Sequence, residues 1–179
     1  MLVTIRPATG EDSLASANVV RAVFDEYGFT WDEADYCADL YDLETYYLAR
    51  GNRFWVAEVG GKVVGTTALE LYPTLPGKIG ELVEVDGKRR AAGSDCSLER
   101  LYVHPDSRGV GLGRTLLETT IAEAKALGRQ GMEIWSDKKL ENAHRLYGYY
   151  GAIAIGDRIC DDPDESPEWG FVLRPERQD

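Results

Sequence analysis

Leu98-Glu99-Arg100-Leu101-Tyr102-Val103-His104-Pro105-Asp106-Ser107-Arg108-Gly109-Val110-Gly111-Leu112-Gly113-Arg114 is the run on which the reading of this chain turns. It opens as a strand. Pro105 cannot donate to a ladder, so the strand stops there. Gly109, Gly111 and Gly113 let the backbone turn tightly and approach another group with no Cβ between them. Leu112, Leu116, Leu117, Thr120, Ile121, Ala124 and Leu127 then recur at helical spacing, and Gly128 closes the predicted helix. A glycine turn that feeds a helix aims several backbone N–H groups at one point, where the helix dipole adds positive potential. In physical terms this is a phosphate or pyrophosphate site, with Arg108 and Arg114 adding full charges beside it.

Two familiar phosphate loops do not fit. A Walker A loop needs Gly-Lys-Ser/Thr after its second glycine, and none is present. A dinucleotide fingerprint needs glycine where Arg114 stands. What fits is Arg-x-x-Gly-x-Gly, spelled Arg108-Gly109-Val110-Gly111-Leu112-Gly113. Here the chain resembles the GNAT superfamily of N-acetyltransferases, which hold the pyrophosphate of acetyl-coenzyme A in such a turn. A second run, Ala143-His144-Arg145-Leu146-Tyr147-Gly148-Tyr149-Tyr150-Gly151-Ala152, resembles the family's Ala-x-x-Leu-Tyr-x-x-x-Gly-Phe motif. Two departures stand out. Leu140 occupies the place where many members carry a coenzyme-contacting Asn, with Asn142 two residues later, and Ala152 replaces an aromatic residue.

The totals set bounds. The chain has 179 residues, 44% hydrophobic and 28% charged, which favours one folded domain. The expected domain covers 1–173, with 174–179 as a tail. A net charge of −11 argues against nucleic acid as a partner. No apolar run reaches membrane-span length, and the opening Met-Leu-Val-Thr-Ile-Arg-Pro lacks the apolar core of a signal peptide. Cys37, Cys96 and Cys160 are widely spaced, and with only His104 and His144 no metal-ligand pattern forms. A reducing cytoplasm is the expected home. The oligomeric state stays open, a homodimer included.

Taken in order, Val3–Arg6 reads as a strand and the next helix runs to about Tyr27. Residues 25–49 hold Asp25, Glu26, Asp32, Glu33, Asp35, Asp39, Asp42 and Glu44 with no Lys or Arg among them, interleaved with aromatics. A helix is expected over Asp39–Leu48. The resemblance implies that this segment lies beside the acceptor and forms an acidic, aromatic wall suited to an ammonium group. A solvated acidic face over core aromatics is the other reading. Gly60-Gly61 joins two strands, and Asp86-Gly87 joins a further hairpin without an assigned role. Residues 131–136 read as a buried strand, parallel to 97–103 through the helix between them. Strands at 152–155 and 169–173 complete the chain. The fold expected is α/β, a GNAT-like mixed, mostly antiparallel sheet flanked by helices with a central parallel pair.

The resemblance also implies roles. Tyr147 holds the position of the general acid toward the coenzyme A sulfur, a role its phenol suits because thiol and phenol have similar pKa values. A core tyrosine is the plain alternative, as it is for Tyr149 and Tyr150. Glu99 lies where many members place a base for the acceptor amine; otherwise it is a surface carboxylate. Regular alternation puts Glu99, Leu101 and Val103 on one face, which a bulge would change. Backbone groups of Leu101 and Val103 are implied to bind the pantetheine, and Arg108, Gly109, Val110, Gly111, Leu112, Gly113 and Arg114 the pyrophosphate. The implied activity is acetyl transfer from acetyl-coenzyme A to an amine-bearing acceptor, a cationic small molecule in a direct ternary complex. The alternatives are a protein amine as acceptor, a non-catalytic acyl-coenzyme A sensor, and another phosphate-ligand binder. His104 and His144 read as structural or surface residues, Ser136 and Asp137 as helix caps, and Cys96 has no base partner.

Overall fold

Residues 2–177 are described by the computed structural model. The apolar patterning resolves into β1 (Val3–Pro7), α1 (Ser13–Tyr27), α2 (Leu43–Tyr46), β2 (Arg53–Val59), β3 (Lys62–Leu71), β4 (Leu82–Val85), β5 (Lys88–Ala91), β6 (Cys96–Val103), α3 (Leu112–Ala126), β7 (Met132–Asp137), α4 (Glu141–Tyr149), β8 (Ile153–Ile159) and β9 (Pro167–Leu173). Seven strands form one mixed sheet in the order β1-β2-β3-β6-β7-β9-β8, and β4-β5 stands apart as a two-stranded ribbon. The expected central parallel pair is present: β6 joins β7 at Cys96↔Met132 and Ser97↔Glu133. The pairs β1–β2, β2–β3, β7–β9 and β8–β9 are antiparallel. No helix among the described residues is long and apolar enough to cross a membrane.

The chain divides into two units, one of Met1–Glu70, Glu99–Thr120 and Asp162–Asp164, the other of Leu71–Leu98, Ile121–Asp161 and Glu165–Asp179. In the first, α1 turns Ala17, Val20 and Phe24 inward onto Leu40, Leu43, Phe54, Val56 and Ala68. Gly28 ends that helix in the left-handed conformation, with φ 72°. A smaller cluster joins Ala57 of β2 to Leu112 and Leu116 at the start of α3, with Leu101 and Val103 of β6 packed against it. Gly65 of β3 has no room for a side chain: a Cβ there would lie 2.9 Å from Leu116 Cδ1.

In the second unit, Met132, Ile134, Tyr147, Val172 and Leu173 are all below one-tenth exposed. The β4–β5 ribbon turns through Asp86 (φ 51°) and Gly87 (φ 77°). It is held to the rest of this unit by charge. Arg90 Nε and the Ala91 N–H both donate to the carboxylate of Glu133 on β7. Arg89 reaches the carbonyl of Asp157 on β8 at 2.8 Å, and Lys88 pairs with Asp161.

Several expectations need correction. The helix expected over Asp39–Leu48 is broken into a 3-10 turn at Ala38–Tyr41, the single turn α2, and another 3-10 turn at Leu48–Arg50. Asp42 is the cause: extended at φ −148°, it accepts the Thr45 N–H instead of continuing the helix. Strand β8 runs to Ile159, past the expected end at 155. At the C-terminus, where a tail was expected from 174, Pro175–Arg177 forms a 3-10 turn and Pro175 is buried. Gln178 and Asp179 of that expected tail lie outside the described residues.

Candidate active site

The strand β6 carries the first group of site residues, and its geometry depends on Arg100. Arg100 has φ +49°, a left-handed conformation inside a strand and the mark of a bulge in a non-glycine residue. The conformation is held from several sides. Thr66 Oγ1 donates to the Arg100 carbonyl at 2.7 Å. The guanidinium donates to both Asp39 oxygens, at 2.9 and 2.6 Å, and to the Tyr36 carbonyl at 2.7 Å. It also lies 5.2 Å above the Tyr36 ring. Burial opposes the charge on Arg100, but Asp39 outweighs it and holds the guanidinium protonated well above its usual range. Tyr47 donates to the same Asp39 at 2.6 Å. Burial, then the Asp39 charge, pushes the Tyr47 phenol well above its ordinary value.

The left-handed residue interrupts the two-residue period between Glu99 and Leu101, so the single face expected for Glu99, Leu101 and Val103 does not run through it. Glu99 is half-buried, and its charge is felt at Tyr47. The side chains of Leu101 and Val103 pack on Leu112 and Leu116. Side chains at these two positions therefore serve the core, and the Val103 carbonyl accepts from Arg108 Nε at 3.2 Å.

After β6, His104 Nδ1 accepts the Asp106 N–H at 3.3 Å and caps a 3-10 turn at Pro105–Ser107. Gly109 and Gly111 follow with φ +83° and +81°. Nothing lies within 4 Å of where their Cβ atoms would be. Their glycines answer a backbone conformation and leave an open cradle, into which the first turn of α3 directs N–H groups that no helix can bond internally. Gly113 differs: its φ is not left-handed, and a Cβ would sit at an ordinary 3.7 Å from Val103. This donor set fits a pyrophosphate. Among the described residues no group of three or more His, Cys, Asp or Glu is placed to hold a metal ion.

Both arginines of the turn already have carboxylate partners. Arg108 meets Glu26 of α1, and Arg114 lies 3.7 Å from Glu118 one turn along α3. The acidic segment is likewise partly spent. Asp39 is committed to Arg100 and Tyr47, Asp32 accepts the Asp35 and Tyr36 N–H groups, and Asp42 caps α2. Asp25, Glu33, Asp35 and Glu44 are exposed. The aromatics form a cluster in which Trp31 meets Phe24 edge-on at 5.3 Å and donates to Tyr41 Oη at 3.3 Å.

Tyr147 belongs to the other unit. It is 4% exposed on α4, with its ring 5.8 Å from Phe171 and 6.4 Å from His144. His144 is half-buried rather than on the surface. Its Nε2 lies 3.1 Å from Ser136 Oγ, and its ring packs 5.4 Å from Phe171. Burial holds the imidazole below its usual pKa. Ser136, buried on β7, partners this histidine, and Asp137 accepts the Lys139 N–H at 2.7 Å in the turn before α4; the N-cap position of α4 is Leu140, so neither residue caps the helix as expected. Tyr149, expected as a packing residue, is 72% exposed. Asn142 is exposed and accepts from Arg145. Cys96 is buried and its thiol pushed up by burial, which disfavours a nucleophilic role.

The sequence alone assigns no role to Arg100 and reads Asp39 and Glu26 only as members of the acidic wall, not as its partner and the partner of Arg108. The available signal was a charged residue inside an apolar strand, which needs a counter-ion wherever the strand is covered.

Residues 20–151 match the model of the acetyltransferase (GNAT) family. The chain is 31% identical over 150 residues to the uncharacterized N-acetyltransferase YjgM of Escherichia coli K12, a match that covers 82% of this chain and 80% of that protein. It is 30% identical over 124 residues to N-acetyltransferase 8 of Mus musculus, across 69% of this chain and 48% of the mouse protein. In fold it is similar to an acetyltransferase from Streptococcus agalactiae, with TM-score 0.73 at 20% identity over 96% of this chain and 98% of that one. It is also similar to YncA of Salmonella typhimurium, solved with acetyl-CoA, with TM-score 0.69 at 22% identity over 98% and 95% of the two chains.

Proposed function

The chain belongs to the acetyltransferase (GNAT) family, acetyl-coenzyme A-dependent N-acetyltransferases, and from that premise we propose that it acetylates a small cationic amine by direct transfer. The observation that carries the coenzyme assignment is the left-handed Gly109–Gly111 turn at the start of α3. We assign the pyrophosphate to the backbone of 109–113 with Arg108 and Arg114, and the pantetheine to the backbone of Leu101 and Val103. The family match from 20 to 151 runs through both units, which supports reading 1–173 as one catalytic domain. The free cysteines Cys37, Cys96 and Cys160 suit a reducing compartment.

Acetyl-coenzyme A supplies an activated thioester. In this reading Glu99 accepts a proton from the acceptor's ammonium, directly or through water, so that the amine attacks as a neutral nucleophile. A main-chain N–H of the bulged β6 stabilises the oxyanion. Tyr147 donates its phenolic proton to the departing sulfur. The preference for a cation rests on the exposed Asp25, Glu33, Asp35 and Glu44 and the net charge of −11.

The test is thiol release from acetyl-coenzyme A across a panel of mono-, di- and polyamines, amino acids and peptide N-termini. Turnover is expected first with a small polycation. Tyr147→Phe should lower kcat by at least about tenfold with little change in the acetyl-coenzyme A KM. An unchanged kcat across pH would remove Tyr147 from the acid role, and a peptide as best acceptor would replace the small cation.

A further inference from the structure

Arg108 is engaged on the side of its own unit. Its Nη1 donates to Glu26 Oε1 at 2.9 Å, its Nη2 lies 2.7 Å from Glu26 Oε2, and its Nε donates to the Val103 carbonyl at 3.2 Å. The pair is end-on and bidentate, the arrangement a guanidinium also offers to a phosphate. Glu26 sits in the last turn of α1, two residues before Gly28, with Asp25 beside it and no basic residue in that turn. A carboxylate there opposes the helix dipole, so Glu26 is poorly placed for the helix itself. Its good partner is Arg108, 82 residues away.

We infer that Glu26 is a resident counter-ion that competes with the phosphates of the coenzyme for Arg108, and so sets coenzyme affinity without touching the chemical step. The inference rests on the assignment of Arg108 to the coenzyme made above. One guanidinium faces two anions of the same geometry. While Glu26 holds it, its charge is neutralised and its attraction for a phosphate falls. Arg108 is 37% exposed and Glu26 40%, so the pair is open to water and cheap to exchange. Arg114 does not share the arrangement, because its partner lies on its own helix at 3.7 Å. Arg108 is thus handed from Glu26 to the coenzyme as the coenzyme arrives, and Glu26 is a positioning residue that acts through Arg108.

The experiment is calorimetric titration of coenzyme A into the full chain, as wild type, Glu26→Gln, Arg108→Gln and the double variant, at low and at about 0.3 M salt. Steady-state kinetics on the best acceptor accompany it. Glu26→Gln should tighten coenzyme binding by about two- to fivefold at low salt, the range a partly exposed pair spans, and by less at high salt. KM for acetyl-coenzyme A should fall in step while kcat holds. In the Arg108→Gln background the Glu26→Gln effect should vanish. Unchanged or weaker binding by Glu26→Gln overturns the inference and leaves the glycine turn as coenzyme site intact. An equal gain with Arg108 absent also overturns it, since Glu26 would then act as a diffuse charge. If Arg108→Gln binds coenzyme as well as wild type, the assignment of Arg108 itself falls.

Discussion

Asp39→Ala should be the most damaging single change in the first unit that leaves its apolar core untouched. The side chains of Arg100 and Asp39 are 10% and 15% exposed, so this is a buried pair with little water to replace a lost partner. Removing the carboxylate deletes two hydrogen bonds of 2.9 and 2.6 Å and leaves the guanidinium with the Tyr36 carbonyl and ring alone. Breaking such a pair from one side costs about 3–5 kcal/mol. The Tyr47 hydroxyl loses its acceptor as well, an orphaned donor worth about 1–3 kcal/mol by itself. The two losses stem from one carboxylate and do not add in full, so about 4–5 kcal/mol in total is expected, a large part of a domain's stability. Urea unfolding at pH 7 measures it, provided the slope with denaturant matches wild type. The matched control replaces both partners, Arg100→Met with Asp39→Leu. It should recover the part of the loss due to the unpaired buried charge, while the Tyr47 hydroxyl still lacks its acceptor. Acetyl transfer should stay impaired in that control, since the φ +49° residue beside Glu99 has lost its side-chain anchors, although Thr66 still bonds its carbonyl. A cost below about 1 kcal/mol for Asp39→Ala would mean that the pair behaves like a solvated surface bridge and that the bulge is held by other contacts.

Three further outcomes follow from the geometry. Gly111→Ala should cost about 1–2 kcal/mol through its φ of +81° and weaken coenzyme A binding at least about tenfold, read by unfolding and titration together. Gly170→Ala should destabilise by about 1–3 kcal/mol, because its Cβ would lie 2.5 Å from ring atoms of Trp135; a thermal melt decides it. His144 has its pKa held below the usual 6.5 by burial, so the unfolded chain takes up a proton that the folded chain refuses. Its contribution is therefore full above about pH 6.5 and is lost as pH falls from there through the lower folded value. Melting temperatures between pH 7.5 and about 5 should drop less steeply in His144→Gln than in wild type, and parallel slopes would show that His144 titrates normally.

What the sequence made readable was whatever repeats over a few residues. The 3.6-residue face of Leu112, Leu116, Leu117, Thr120, Ile121 and Ala124 located α3 to within a residue of its end, and Gly60-Gly61 located the β2–β3 hairpin. The glycine turn was placed by the same local logic. The helix over 39–48 failed because a single side chain, Asp42, found a better use for its oxygen than the helix could offer. The rest was hidden because its cause lies far along the chain. Arg100 takes up its left-handed conformation against Asp39, 61 residues earlier, and Arg108 meets Glu26 across 82. Local alternation cannot register either pair. Counting acids in 25–49 likewise overstated the charge offered to an acceptor, since Asp32, Asp39 and Asp42 are consumed by backbone N–H groups and by Arg100.

Glu133 has a bearing on how this sequence can change. The carboxylate on β7 is 2% exposed, and Arg90, the Ala91 N–H and the Trp135 indole supply its hydrogen bonds. Two of those donors belong to the β4–β5 ribbon. The ribbon therefore cannot be trimmed like an ordinary surface loop: a chain shortened across 80–92 would keep an acid inside its sheet with its counter-ion gone. Relatives without the ribbon should carry an apolar or amide residue where Glu133 stands. Lineages that keep the glutamate should keep a cation at position 90, so the loop and the strand residue are inherited as one trait.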